Sequence, residues 1–173
     1  MSSGDIYVRQ EGRGTTLAEY WPLLALTLVS ALAGWAIVAG RADGGMNAFM
    51  HGFMGVFLVI FALLKIFSLK GFRRGFTMYD LLAKRVKNYA YVYPFIELAL
   101  GLAYLAYAAP TATYVATIVV FGFGTLGVIA ALRDGLDIDC PCMGSILSVP
   151  LSTVTLTEDL VMVAMAVMLL VQL

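Results

Sequence analysis

The sequence predicts an all-α protein, a polytopic membrane helix bundle, and three observations predict it. Of 173 residues, 61% are hydrophobic and only 13% charged, with a mean hydropathy of +0.90. A soluble domain usually carries about a quarter charged residues. The apolar residues come in blocks of the roughly 20 residues that a bilayer-spanning helix needs. The cations concentrate in one internal loop, as they do on one side of membrane proteins. The formal net charge is zero, so no global attraction to nucleic acid is expected. A single helical domain is the natural count for this length.

Five segments qualify as spans. The first runs from Trp21 to Gly40, with Pro22 placed where a helix N-terminus tolerates proline. The polar stretch from Met1 to Tyr20 before it reads as a short terminal tail. Ala31-Leu32-Ala33 resembles a signal-peptide cleavage site, but the apolar run continues to Gly40, which favours a retained anchor. The second span runs from Phe49 to Leu69 and contains His51 and Lys65. The third runs from Tyr89 to Ala109 and contains Glu97, and Pro94 either kinks it or marks its true first turn. The fourth, Thr113 to Leu132, carries no charge. The fifth, Thr153 to Leu173, carries Glu158 and Asp159 near its start.

The loop from Lys70 to Asn88 holds Lys70, Arg73, Arg74, Lys84, Arg85 and Lys87. The positive-inside rule assigns it, the N-terminus and the Cys140–Cys142 turn to the cytoplasmic side. Within it, Phe72, Phe76, Tyr79, Leu82 and Val86 recur at helical spacing among the cations. That pattern predicts a short interfacial helix with its aromatics in the headgroup region.

Sidedness decides which polar groups can meet. The end of the second span, the start of the third, the end of the fourth and the start of the fifth share one face of the membrane. Lys65 lies about 6 Å from its helix end and Glu97 about 12 Å into its own, at 1.5 Å per residue. Intramembrane charges usually face the interior in pairs, so Lys65 is expected to pair with Glu97. The plainer readings are that Lys65 snorkels to the headgroups and that Glu158 and Asp159 sit at a helix N-terminus. His51, the only histidine, lies near the opposite end and is expected to complete a local hydrogen bond rather than bind metal.

FGFGTLG, residues 121–127, matches G-x-G-x-x-G, but it lies in a span with no strand before it. Close helix packing through small residues explains it better, and Gly52, Gly55 and Gly101 read the same way. Glu158, Met162 and Met165 form one helical stripe, in which methionine serves as apolar filler or, less ordinarily, as a soft ligand.

The only two cysteines flank a proline in DIDCPCMGS, residues 137–145. A disulfide across C-x-C closes a strained ring, which is easily reduced. So short a loop also removes little chain entropy, so a structural staple is the weakest reading. Two chemistries remain, thiol exchange by Cys140 and Cys142 or soft-metal binding by Cys140, Cys142 and Met143. The metal of the second reading would be Cu(I) or a similar ion; the first needs no cofactor.

Taken together, FMGVFLVIFALLKIFSLKGFRRGF, YPFIELALGLAYL and ALRDGLDIDCPCMGS resemble the methylamine-utilisation MauE family within the DoxX-like group. Lys65, Glu97, Gly101, Arg133, Gly135, Cys140, Cys142 and Gly144 match that pattern in order. Pro141 and Met143 stand where the family often has Gly and Phe, and EDLVM replaces a common Arg-Asn pair. The resemblance implies a DoxX-like four-helix core over 49–173, preceded by a tail over 1–20 and an added span with its outer loop over 21–48. It also implies a redox-associated protein of the bacterial inner membrane. The family's namesake supports maturation of the disulfide-rich methylamine dehydrogenase subunit. Cys140 and Cys142 would then be the reactive pair, with Lys65, Glu97, Glu158 and Asp159 forming a polar pocket beside them. The expected partners are the lipid bilayer and a thioredoxin-like or client protein, and no nucleic acid.

Overall fold

The computed structural model describes residues 20–41, 44–86, 88–133 and 151–173, with side chains in the last stretch from Thr155 onward. The tail, Lys87 and the segment holding Cys140, Cys142 and Met143 lie outside the described residues. The described residues form six helices: α1 (Trp21–Ala39), α2 (Met46–Phe67), α3 (Leu69–Tyr79), α4 (Tyr89–Ala106), α5 (Pro110–Arg133) and α6 (Leu151–Val171). Among them, α1, α2, α4 and α5 are long and apolar enough to cross a membrane. The fifth expected span corresponds to α6, whose 21 residues would extend about 31 Å.

The bundle consists of two closely packed helix pairs, α2 with α4 and α5 with α6, with α1 laid along α2. Glycines set the close approaches. A Cβ on Gly101 would meet the Val59 amide nitrogen at 2.9 Å and the Gly55 carbonyl at 3.0 Å. Backbone therefore touches backbone where α2 crosses α4, as small residues permit in membranes. Gly34 and Gly52 do the same for α1 and α2, where a Cβ on Gly52 would lie 2.9 Å from Gly34 Cα. On α1 only Ser30 and Gly34 are buried. Its hydroxyls are satisfied within the helix, Thr27 donating to the Leu23 carbonyl at 2.8 Å and Ser30 to that of Leu26 at 2.9 Å. Both hydroxyls of α1 thus have partners that do not depend on water.

α2 is the central helix. Met50, Met54, Phe57, Leu58, Phe61 and Lys65 on it are all buried. Pro94 lies inside α4, five residues after its start, and is buried among its neighbours, so it does not mark the first turn. Tyr107 ends α4 in the left-handed region with φ 53°, and the Ala108 N–H donates to the Ala103 carbonyl at 2.9 Å. This is a Schellman-type closure with tyrosine where glycine is usual.

α3 corrects one expectation. It follows α2 directly through Ser68 and folds back over the end of the bundle, against α4 and α5. Phe72, Phe76 and Tyr79 are buried in protein, not set among headgroups, while Leu82 and Val86 in the following turn are exposed. Phe76 packs on Tyr93 with ring centroids 4.6 Å apart, and Phe72 stacks on Phe76 at 4.8 Å. An aromatic stripe is served equally by lipid and by a protein core, and here the tyrosines of α4 offer the nearer apolar surface.

Candidate functional site

The bundle end capped by α3 gathers the buried charges. Lys65 Nζ donates to both oxygens of Glu97, at 2.7 and 2.6 Å, and the two side chains are 2% and 0% exposed. The expected pair is therefore made, and made inside the protein. Snorkelling does not occur because α3 covers the route out. The Lys65 ammonium lies 5.8 Å from the Phe72 ring centroid, 5.4 Å from that of Tyr93 and 5.9 Å from that of Phe61. These ring faces supply the cation–π attraction that partly replaces water.

Asp159 and Glu158 are both buried, but they are not at a helix N-terminus. α6 begins at Leu151, and no acidic residue falls in its first turn. The two carboxylates lie roughly two turns down the helix. Asp159 occupies a niche that Gly124 provides: a Cβ there would lie 2.9 Å from Asp159 Oδ2. The charges of Lys65, Glu97 and Asp80 all act on Asp159. Glu158 turns the other way and lines a cavity of about 120 Å³ with residues of α1 and α2. Adjacent residues on a helix project about 100° apart, which sends the two carboxylates to different neighbours.

Asp80 closes the cap. Its Oδ1 accepts from the Leu82 and Ala83 amides at 2.9 and 2.7 Å and so organises the turn after α3. Burial pushes the Asp80 carboxyl above the usual range, although those two N–H groups and Lys84 pull against it. Gly127 lets this turn lie on α5, since a Cβ would meet the Tyr79 carbonyl at 3.2 Å and Asp80 Cα at 3.3 Å. Two glycines of the 121–127 motif thus have packing roles, Gly124 for Asp159 and Gly127 for Asp80. Gly122 has open space beside it.

The same end anchors the segment that carries the cysteines. α5 ends at Arg133 and α6 begins at Leu151, one chain on either side of that segment. Cys140, Cys142 and Met143 themselves lie outside the described residues. Among the described residues, no three His, Asp or Glu side chains group to hold a metal. Met162 is buried in the core and Met165 packs partly against it, as filler does.

At the opposite end lies a polar cluster that sequence reasoning missed. His51 Nδ1 is 2.9 Å from the Tyr104 carbonyl, and His51 Nε2 is 2.6 Å from the Tyr114 hydroxyl. A carbonyl only accepts, so a neutral His51 carries its proton on Nδ1 and Tyr114 donates to Nε2. The Tyr107 ring stacks on His51 at 4.1 Å, and the Arg41 guanidinium lies 4.4 Å over the Tyr107 ring centroid. The expected local hydrogen bond of His51 is present. Its tyrosine partners were not foreseen, because tyrosines near span ends read as an interfacial belt.

Residues 46–172 match the family model described as methylamine utilisation protein MauE. No curated protein and no solved structure matches the chain. The matched region begins with α2 and leaves α1 outside it.

Proposed function

The chain belongs to the MauE family, and from that premise we propose that it is a thiol–disulfide exchange protein of the bacterial inner membrane that supports maturation of a partner protein. Cys140 and Cys142 are the reacting pair. The observation that carries this reading is the buried Lys65–Glu97 pair at the bundle end where the cysteine segment is anchored. A membrane protein keeps such charges inside only at a cost, and they generally mark the working region.

The exchange is balanced within two proteins. One cysteine thiolate attacks a sulfur of the partner's disulfide, forms a mixed disulfide and releases one partner thiolate. The second cysteine then attacks the mixed disulfide and releases the other. Two electrons pass to the partner, which ends as a dithiol while Cys140 and Cys142 end as a disulfide. The reverse sequence oxidises the partner. The strain of a C-x-C ring favours that direction whenever the pair is recharged by another disulfide.

The test is to trap the mixed disulfide with Cys142→Ser in intact cells. A covalent adduct with a partner, absent in the double Cys→Ser variant, is expected. No adduct under conditions where the unmodified protein cycles between thiol and disulfide refutes it. Anaerobic titration with Cu(I) tests the alternative: stoichiometric binding lost on Cys140→Ala and Cys142→Ala would replace the exchange reading with a soft-metal one. Labelling with a membrane-impermeant maleimide tests the cytoplasmic side proposed for the pair.

A further inference from the structure

We propose that Arg73, held in place by Tyr91, binds the phosphate of an anionic phospholipid in the leaflet that borders the α3 cap. The inference goes beyond the thiol reading and uses neither cysteine.

Arg73 is a positioned guanidinium with no carboxylate partner among the described residues. Its Nη1 donates to the Tyr91 hydroxyl at 2.8 Å, and its Cζ lies 4.9 Å from the centroid of the Tyr91 ring. A guanidinium presents five N–H donors in a planar fork that matches phosphate, so four remain after the bond to Tyr91. The acidic side chains among the described residues are Asp80, Glu97, Glu158 and Asp159, and all of them are buried. Asp80, the nearest in sequence, already accepts from the Leu82 and Ala83 amides. Lys70 and Arg74 stand one helical turn apart on the exposed face of α3, and Lys84 and Arg85 are exposed in the turn after it. The described surface of the cap is therefore wholly cationic, and it complements an anion.

Depth along the helices identifies the anion. Tyr91 is the third residue of α4, about 3 Å from its start. One turn deeper on the same face, Phe95 is 51% exposed, and two turns beyond it Leu102 is 53% exposed. Apolar side chains exposed along a spanning helix meet acyl chains. Arg73 thus stands at the head of a lipid-facing stripe, at the level of the headgroup phosphates. α2 agrees: Phe67, its last residue, is 80% exposed, and α3 starts two residues later. In the turn after α3, exposed Leu82 and Val86 alternate with Lys84 and Arg85, a mixture of apolar and basic groups that suits the membrane interface. One phospholipid meets all of these demands. Its chains cover Phe95 and Leu102, its phosphate enters the Arg73 fork, and Lys70 and Arg74 favour a net negative headgroup over a zwitterionic one. A soluble acidic protein would answer the cations but not the apolar stripe beneath Arg73.

Native mass spectrometry of the full chain in detergent, titrated with phosphatidylglycerol or phosphatidylcholine, tests this. The unmutated chain should bind its first phosphatidylglycerol more tightly than its first phosphatidylcholine. Arg73→Gln should weaken that first binding by about five-fold or more, since one cation near an anionic surface contributes about that factor. Tyr91→Phe keeps the net charge but frees the guanidinium, and it should weaken the same step. Lys84→Gln removes as much charge as Arg73→Gln and should weaken it less. Equal affinity of the unmutated chain for the two lipids overturns the proposal, however the variants fold. So does a Tyr91→Phe chain that binds like the parent, or a Lys84→Gln chain that loses as much as Arg73→Gln, because diffuse charge would then account for the binding.

Discussion

Replacing Lys65 by methionine is the sharpest perturbation of the buried pair. The ammonium lies 2.6 and 2.7 Å from the two Glu97 oxygens. At an effective dielectric constant of about 20, that separation corresponds to a gross attraction of about 6 kcal/mol. Both charges give up hydration to meet, so the net value is smaller. Removing one partner from a buried pair costs about 3–5 kcal/mol, because the other charge remains uncompensated. Lys65→Met should therefore lower the midpoint of thermal unfolding by roughly 6–20 °C in a chain of this size. Lys65→Met combined with Glu97→Leu removes both charges and fills the space with apolar groups, which is about neutral or stabilising by 1–4 kcal/mol. The assay is thermal unfolding of all four proteins in one detergent, followed by tryptophan fluorescence or loss of the monodisperse peak. The reasoning predicts that the double variant is more stable than either single one. A single variant within about 1 kcal/mol of the parent, or strictly additive losses, would refute it.

Other outcomes follow from the same geometry. Gly122→Ala meets open space and should stabilise by up to about 1 kcal/mol through helix propensity. Gly124→Ala drives a methyl against the Asp159 carboxylate and should destabilise, a contrast readable in one series of melts. Gly101→Val places its Cβ against the Val59 amide and the Gly55 carbonyl, so α2 and α4 must part, costing about 1–3 kcal/mol or more. Tyr114→Phe leaves His51 Nε2 without its donor at 2.6 Å and should cost about 1–3 kcal/mol, measured by chemical unfolding. Asp80 has its carboxyl raised in the fold by burial. Its contribution is fully present below the unfolded value near about 3.9 and is lost as pH rises through the folded one. Asp80→Asn keeps the Oδ1 acceptor and should flatten that part of the stability–pH curve.

The spans were legible because a bilayer imposes a length and a composition that no other solvent does. The first, third and fourth expected segments differ from α1, α4 and α5 by no more than about a helical turn at either end. The Lys65–Glu97 pair was legible for a related reason. Chain order fixes which helix ends share a face, and depth along each helix then brings these two together. What failed was any judgement between two apolar environments. Phe72, Phe76 and Tyr79 carry the same pattern whether they meet acyl chains or Tyr93. Only the fold-back at Ser68 decides it. The start of α6 was expected at Thr153 and lies two residues earlier, at Leu151, which keeps Glu158 and Asp159 within its first turns.

That fold-back has consequences for the site as a whole. α3 presents Lys70, Arg73 and Arg74 on one side and buries Phe72 and Phe76 on the other. Its inner face removes Lys65 from the headgroups and leaves Glu97 as the partner that compensates its charge. Asp80, at the end of the same helix, fastens the cap to α5 at Gly127. Three glycines then determine how near the charged groups come. Gly101 sets the spacing of the helices that bear Lys65 and Glu97, Gly124 admits Asp159, and Gly127 admits the cap. A Cβ at any of the three would displace one of these groups. The small residues of these helices therefore do more than pack them, because they set how a buried ammonium is shared among carboxylates.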